Sequence, residues 1–192
     1  MGSKVRKMLE MVLVVSMIVS CLTGFGKEEA KATQPPVQYL YYDTNGNFEV
    51  KSCPIYEIIT GSTTTFNGSE EGGSWYVAEG TVTVSDRITV TGTVNLILKD
   101  NCVFTASKGI NVASGNALTI YGQGTINGAN TTAGELRATG GEYEAGIGGG
   151  NREDVGSITI NGGKVTVLWS SKIVTPAPSF HRVCEKISVK TE

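Results

Sequence analysis

Over residues 75–167, apolar and polar residues alternate in short runs, with Gly, Asn or Asp between them. Alternation in steps of two, bounded by turn formers, predicts β-strands with one face turned inward. The three-and-four spacing of an amphipathic helix is not the pattern of this stretch. The runs also recur. Ile88-x-Val90 with Leu96-x-Leu98 returns 22 residues on as Ile110-x-Val112 with Leu118-x-Ile120. Leu136-x-Ala138-x-Gly140-Gly141 returns at the same offset as Ile158-x-Ile160-x-Gly162-Gly163.

A fixed period of this length marks stacked repeats. The expected fold is all-β: a short parallel β-helix, or solenoid, over residues 80–167, about four coils of 22 residues. One coil is not stable alone. Each buried aliphatic contributes about 1.5–3 kcal/mol, against about 1–2 kcal/mol for each ordered backbone residue. Stacking of coil on coil must supply the balance. Corners are expected at Gly140-Gly141, Gly148-Gly149-Gly150 and Gly162-Gly163, where glycine reaches positive φ at no steric cost.

The flanks differ. Residues 37–79 are expected to form a small β head, with a strand over 39–42, a turn through Asp43-Thr44-Asn45-Gly46-Asn47 and a return strand from Phe48. Residues 168–192 lack glycine and show no echo of the repeat. They read either as a cap over the last open edge, which such arrays need, or as the scar of a truncated array. Pro176 and Pro178 oppose a further coil, and truncation is the preferred reading.

Residues 1–20 have the form of an export signal: Lys4, Arg6 and Lys7 precede an apolar run too short for a comfortable membrane span. Ile18-Val19-Ser20-Cys21 resembles a bacterial lipobox, which implies lipidation of Cys21 and a membrane anchor; an ordinary secretory signal is the alternative. Both place the chain outside the cell. Residues 21–36 then read as a polar, Pro-stiffened tether. Without residues 1–20 the formal charge moves from −2 to −4. No basic cluster remains, so nucleic acid is not an expected partner. Cys53, Cys102 and Cys184 are an odd set for disulfides, and the spacing leaves pairing of Cys53 with Cys102 open. Cys102 alternates with Phe104 and Ala106, as a small buried residue would.

The wording of the repeats is also familiar. Arg87-Ile-Thr-Val-Thr-Gly92, Asn95-Leu-Ile-Leu-Lys-Asp100, Ala145-Gly-Ile-Gly-Gly-Gly150 and Ile158-Thr-Ile-Asn-Gly-Gly163 resemble glycine-rich repeat cell-surface proteins of gut Firmicutes, of the "carbohydrate-binding domain-containing" type. The resemblance covers about residues 75–167. It implies a right-handed parallel β-helix, surface display and a polysaccharide or host or cell-wall glycan as partner.

Parallel β-helices also carry polysaccharide lyases and pectin hydrolases, so an enzyme is the second reading. Hydrolysis needs two or three converging carboxylates. Asp86, Asp100, Glu135, Glu142, Glu144, Glu153 and Asp154 show no such arrangement on a strand. A non-catalytic adhesion or display protein is therefore expected, with a truncated structural fragment as a third reading. Asn151-Arg152-Glu153-Asp154, with Glu142 and Glu144, forms the most acidic patch. Its oxygens suit Ca²⁺, but Arg152 within it favours a solvated loop, and no resident cofactor is expected. Gly146-Ile147-Gly148-Gly149-Gly150 lacks the Lys-Ser/Thr of a phosphate loop. Sugar binding calls for exposed aromatics beside amides or carboxylates. Trp75 and Tyr76 should face opposite ways on one strand. The expected contact residues are Tyr121, Tyr143, Asn151, Glu153 and Asp154. Tyr121 qualifies because Ile120 is read as inward, which turns its neighbour outward.

Overall fold

The computed structural model describes residues 34–43, 45–69, 71–124, 132–168 and 187–189. The expected signal, Cys21, nearly all of the tether and most of the tail lie outside them. Pro36–Glu192 is a single compact unit. Its described residues form strands and turns, with no helix among them.

The unit opens with a hairpin. Strands β1 (Val37–Tyr42) and β2 (Phe48–Cys53) pair antiparallel, Val37 opposite Cys53 and Tyr42 opposite Phe48. The Asp43 carboxylate closes the turn by accepting from the Asn45 and Asn47 amides, both at 2.8 Å, and from Asn47 Nδ2 at 3.1 Å. These bonds hold the Asp43 carboxyl below its ordinary value.

Every later strand pairs in parallel. They are β3 (Glu57–Ile58), β4 (Thr65–Asn67), β5 (Ser74–Ala78), β6 (Thr81–Val84), β7 (Ile88–Thr91), β8 (Thr93–Leu98), β9 (Val103–Ala106) and β10 (Ile110–Asn111). Then follow β11 (Ala117–Gly122), β12 (Glu135–Thr139), β13 (Ile147–Gly148), β14 (Ser157–Ile160), β15 (Lys164–Leu168) and β16 (Ile187–Val189). Three sheets result, ordered β3-β5-β8-β11-β14-β16, β6-β9-β12-β15 and β4-β7-β10-β13. From β5 to β15 the chain visits first, second and third sheet in turn, and does so repeatedly. Alternation then stacks like on like. Tyr76, Leu96, Ile120 and Ile160 align in the first sheet. Val82, Phe104 and Leu136 align in the second, and Ile88, Ile110 and Ile147 in the third. All of these belong to one buried core.

The single period of 22 does not survive. Ile88 lies beside Ile110, and Val82 beside Phe104, at that offset. Leu96, however, pairs with Ile120 rather than Leu118. Ile158 lies beside Leu118, while Leu136 lies in the second sheet beside Phe104 and Val165. A shift of two residues leaves the inward face unchanged, so the spacing between strands can vary while the core pattern looks constant. The expected head boundary moves as well. Only the hairpin stands apart, because β3, β4 and β5 already belong to the parallel sheets. From the tail, Ile187–Val189 lies parallel to β14 as a further strand of the first sheet.

Candidate functional site

The outward face of the first sheet shows what happens to Tyr121. Val77, Ile97 and Tyr121 align across β5, β8 and β11, and the hairpin packs over them. Its inner residues Val37, Tyr39 and Cys53 join this second buried cluster, with Tyr41 and Trp75 partly buried beside it. Tyr39 contacts the rings of Trp75 and Tyr121, each with centroids 4.8 Å apart. Trp75 and Tyr121 stack at 5.4 Å. Tyr121 thus points away from the main core as expected, but it is buried, and its expected role as an exposed sugar platform is corrected. Burial pushes its hydroxyl up to about 12. Gln123 pins the hairpin by donating from Nε2 to the Gln38 carbonyl at 2.8 Å.

Trp75 and Tyr76 do face opposite ways. Tyr76 turns inward against Phe66, and its hydroxyl accepts from the Asn67 amide at 2.8 Å. Cys53 and Cys102 are free thiols in separate clusters, which closes the question of their pairing.

The remaining expected residues gather on two turns that flank β13. Gly140-Gly141-Glu142-Tyr143-Glu144 and Gly149-Gly150-Asn151-Arg152-Glu153 share the pattern Gly-Gly-x-x-Glu, and they share a conformation. In each, the glutamate amide donates to the carbonyl of the second glycine, at 3.2 Å from Glu144 to Gly141 and from Glu153 to Gly150. In each, the residue before the glutamate has φ of 62°, Tyr143 in one and Arg152 in the other. The first glycine is dictated by space. A Cβ on Gly149 would lie 2.6 Å from the Glu153 carbonyl oxygen, and one on Gly140 would overlap that of Glu144.

Arg87, at the corner before β7, ties the turns together. Its Nη1 donates to the carbonyls of Lys108 at 2.9 Å and Ala145 at 3.0 Å. Its Nη2 donates to Gly148 at 3.4 Å and Gly149 at 3.2 Å. Glu144 pairs with Nη1 at 3.3 Å. A planar guanidinium suits this task, since its donors diverge in fixed directions. Burial pushes the Arg87 guanidinium below its ordinary value, while Glu144 and then Glu153 oppose that shift. Glu153 Oε2 accepts from the Gly150 amide at 3.0 Å and from Asn111 Nδ2 at 3.2 Å. Much of the acidic patch is thereby engaged with its own loop. Among the described residues, no three His, Cys, Asp or Glu side chains gather as a metal site.

What the turns present outward is Tyr143, 53% exposed, with Glu142, Asn151, Glu153 and Asp154 also exposed. An aromatic face beside amide and carboxylate groups is held on a loop braced from behind. Such an arrangement can stack on a pyranose ring and hydrogen-bond its hydroxyls. Arg87 and Asn111 were not expected at the site, and Glu144 was expected there only as part of the acidic patch. The recurrence of Gly-Gly-x-x-Glu after nine residues was the available sign that two like turns sit together; nothing in the local sequence pointed to Arg87. No protein-family model, curated protein or solved structure matches the chain.

Proposed function

We propose that this chain is an exported, lipid-anchored cell-surface protein whose body is a short right-handed parallel β-helix and which binds polysaccharide without cleaving it. Export and anchoring rest on the basic start, apolar run and Ile18-Val19-Ser20-Cys21. The ordered visits to three parallel sheets support the β-helix. The resemblance to glycine-rich surface proteins supports display toward cell-wall or host glycans.

The observation that carries the binding reading is Tyr143. It is exposed on a turn with positive φ, and Arg87 fixes that turn through Glu144 and Ala145. A turn held in place loses little backbone freedom when its aromatic meets a ligand. The carboxylates behind it are engaged with Arg87 or with backbone amides, which suits a structural and hydrogen-bonding role better than general acid and base.

The test is a pull-down of the full chain on insoluble pectins, xylans and peptidoglycan, with released reducing and unsaturated ends assayed in parallel. Retention with no released ends is expected. Release of either kind of end would replace this reading with an enzyme. No retention on any of them would leave display as the function and remove the sugar.

A further inference from the structure

We propose that the outer face of the N-terminal hairpin, built on Phe48 and Val50, is a membrane-docking surface that seats the body on the bilayer. This rests on the lipid-anchor reading above. Antiparallel pairing puts Val37, Tyr39, Cys53 and Lys51 on one face and Leu40, Tyr42, Phe48 and Val50 on the other. The first face packs on the sheet. A strand pair with one packed face ordinarily turns polar residues to water on the second. Here the second face carries Gln38 and Ser52 at one end and Leu40, Tyr42, Phe48 and Val50 along the rest; Leu40 is buried, and Phe48 and Val50 are the large apolar residues it exposes. Phe48 is 64% exposed and Val50 51%. Phe48 also lies beside Tyr42, with ring centroids 6.2 Å apart.

The chain that precedes this face decides what covers it. Fifteen residues lie between Cys21 and Val37, a reach of at most about 60 Å even when fully extended. The hairpin is the first described element after that anchor. The two acyl chains implied at Cys21 suffice to hold the chain at the membrane, and a second contact would fix how the body lies on it. Aromatic residues at the interface supply contacts of that kind.

The experiment uses the full lipidated chain on phosphatidylglycerol–phosphatidylethanolamine vesicles. An environment-sensitive fluorophore is placed at Phe48→Cys or at Val50→Cys, and at Thr83→Cys on the second sheet as control, each with Cys184→Ser. Cys53 and Cys102 are buried and stay. On vesicles the probes at 48 and 50 should shift to the blue, brighten several-fold and be quenched by spin-labelled lipid, while the probe at 83 stays unchanged. If the protein floats with the vesicles but the hairpin probes remain water-like, the docking proposal falls and the anchor reading stands. If the protein does not float, both fall. A blue shift that grows with protein concentration in the absence of vesicles would assign the face to a second copy and overturn the membrane.

Discussion

Replacing Arg87 with alanine removes the side-chain donor to the carbonyls of Lys108, Ala145, Gly148 and Gly149, of which the last two keep the backbone amides of Val112 and Ala145, and leaves Glu144 without its cation. With this guanidinium mostly buried, the loss is expected to be about 2–4 kcal/mol, read as a lower urea midpoint. Arg87→Lys should recover only part of it, since one ammonium cannot reach two carbonyl pairs in a fixed plane. A second residue-scale effect belongs to Cys102. Desolvation raises its thiol from 9.0 to about 11, so the folded state resists ionisation that the unfolded chain permits. That contribution is complete below the ordinary thiol value and is lost as pH climbs through the raised one. Stability should therefore fall between about pH 9 and pH 11, and Cys102→Ala should flatten that part of the curve in a denaturation series. Little of this was legible beforehand. Alternation with Phe104 and Ala106 marked Cys102 as buried, whereas Arg87 is a corner residue whose partners lie 21 to 62 positions away.

At the scale of elements, the strands were readable and their neighbours were not. Steps of two fix which side chains turn inward and say nothing about which of three sheets a strand joins. Leu136 and Ile158 head matching motifs yet lie in different sheets. Tyr121 fails for a related reason. Its alternation was read as inward then outward, with outward taken to mean exposed. The strands of the first sheet carried a warning, since Tyr76-Val77-Ala78 and Leu96-Ile97-Leu98 are apolar without a break, as in sheets covered on both faces. The hairpin is that cover. Tyr121→Ala should cost about 2–4 kcal/mol by removing a ring from a packed aromatic cluster. It should leave the affinity for polysaccharide unchanged once the folded fraction is matched, which thermal melts combined with a binding assay would show.

At the scale of the whole molecule, the proposed division of labour is simple. Stacked aliphatic rows supply rigidity, the hairpin covers one outer face, and the paired turns around Arg87 present Tyr143. The measurement that bears most directly on this account is the dissociation constant for the best-retained polysaccharide, taken for the wild-type chain and for Tyr143→Ala. Tyr143 is exposed, so its removal should leave the melting temperature in place while weakening binding about tenfold, equivalent to about 1.4 kcal/mol. An unchanged affinity in the folded variant would contradict the account and move any glycan contact away from these turns.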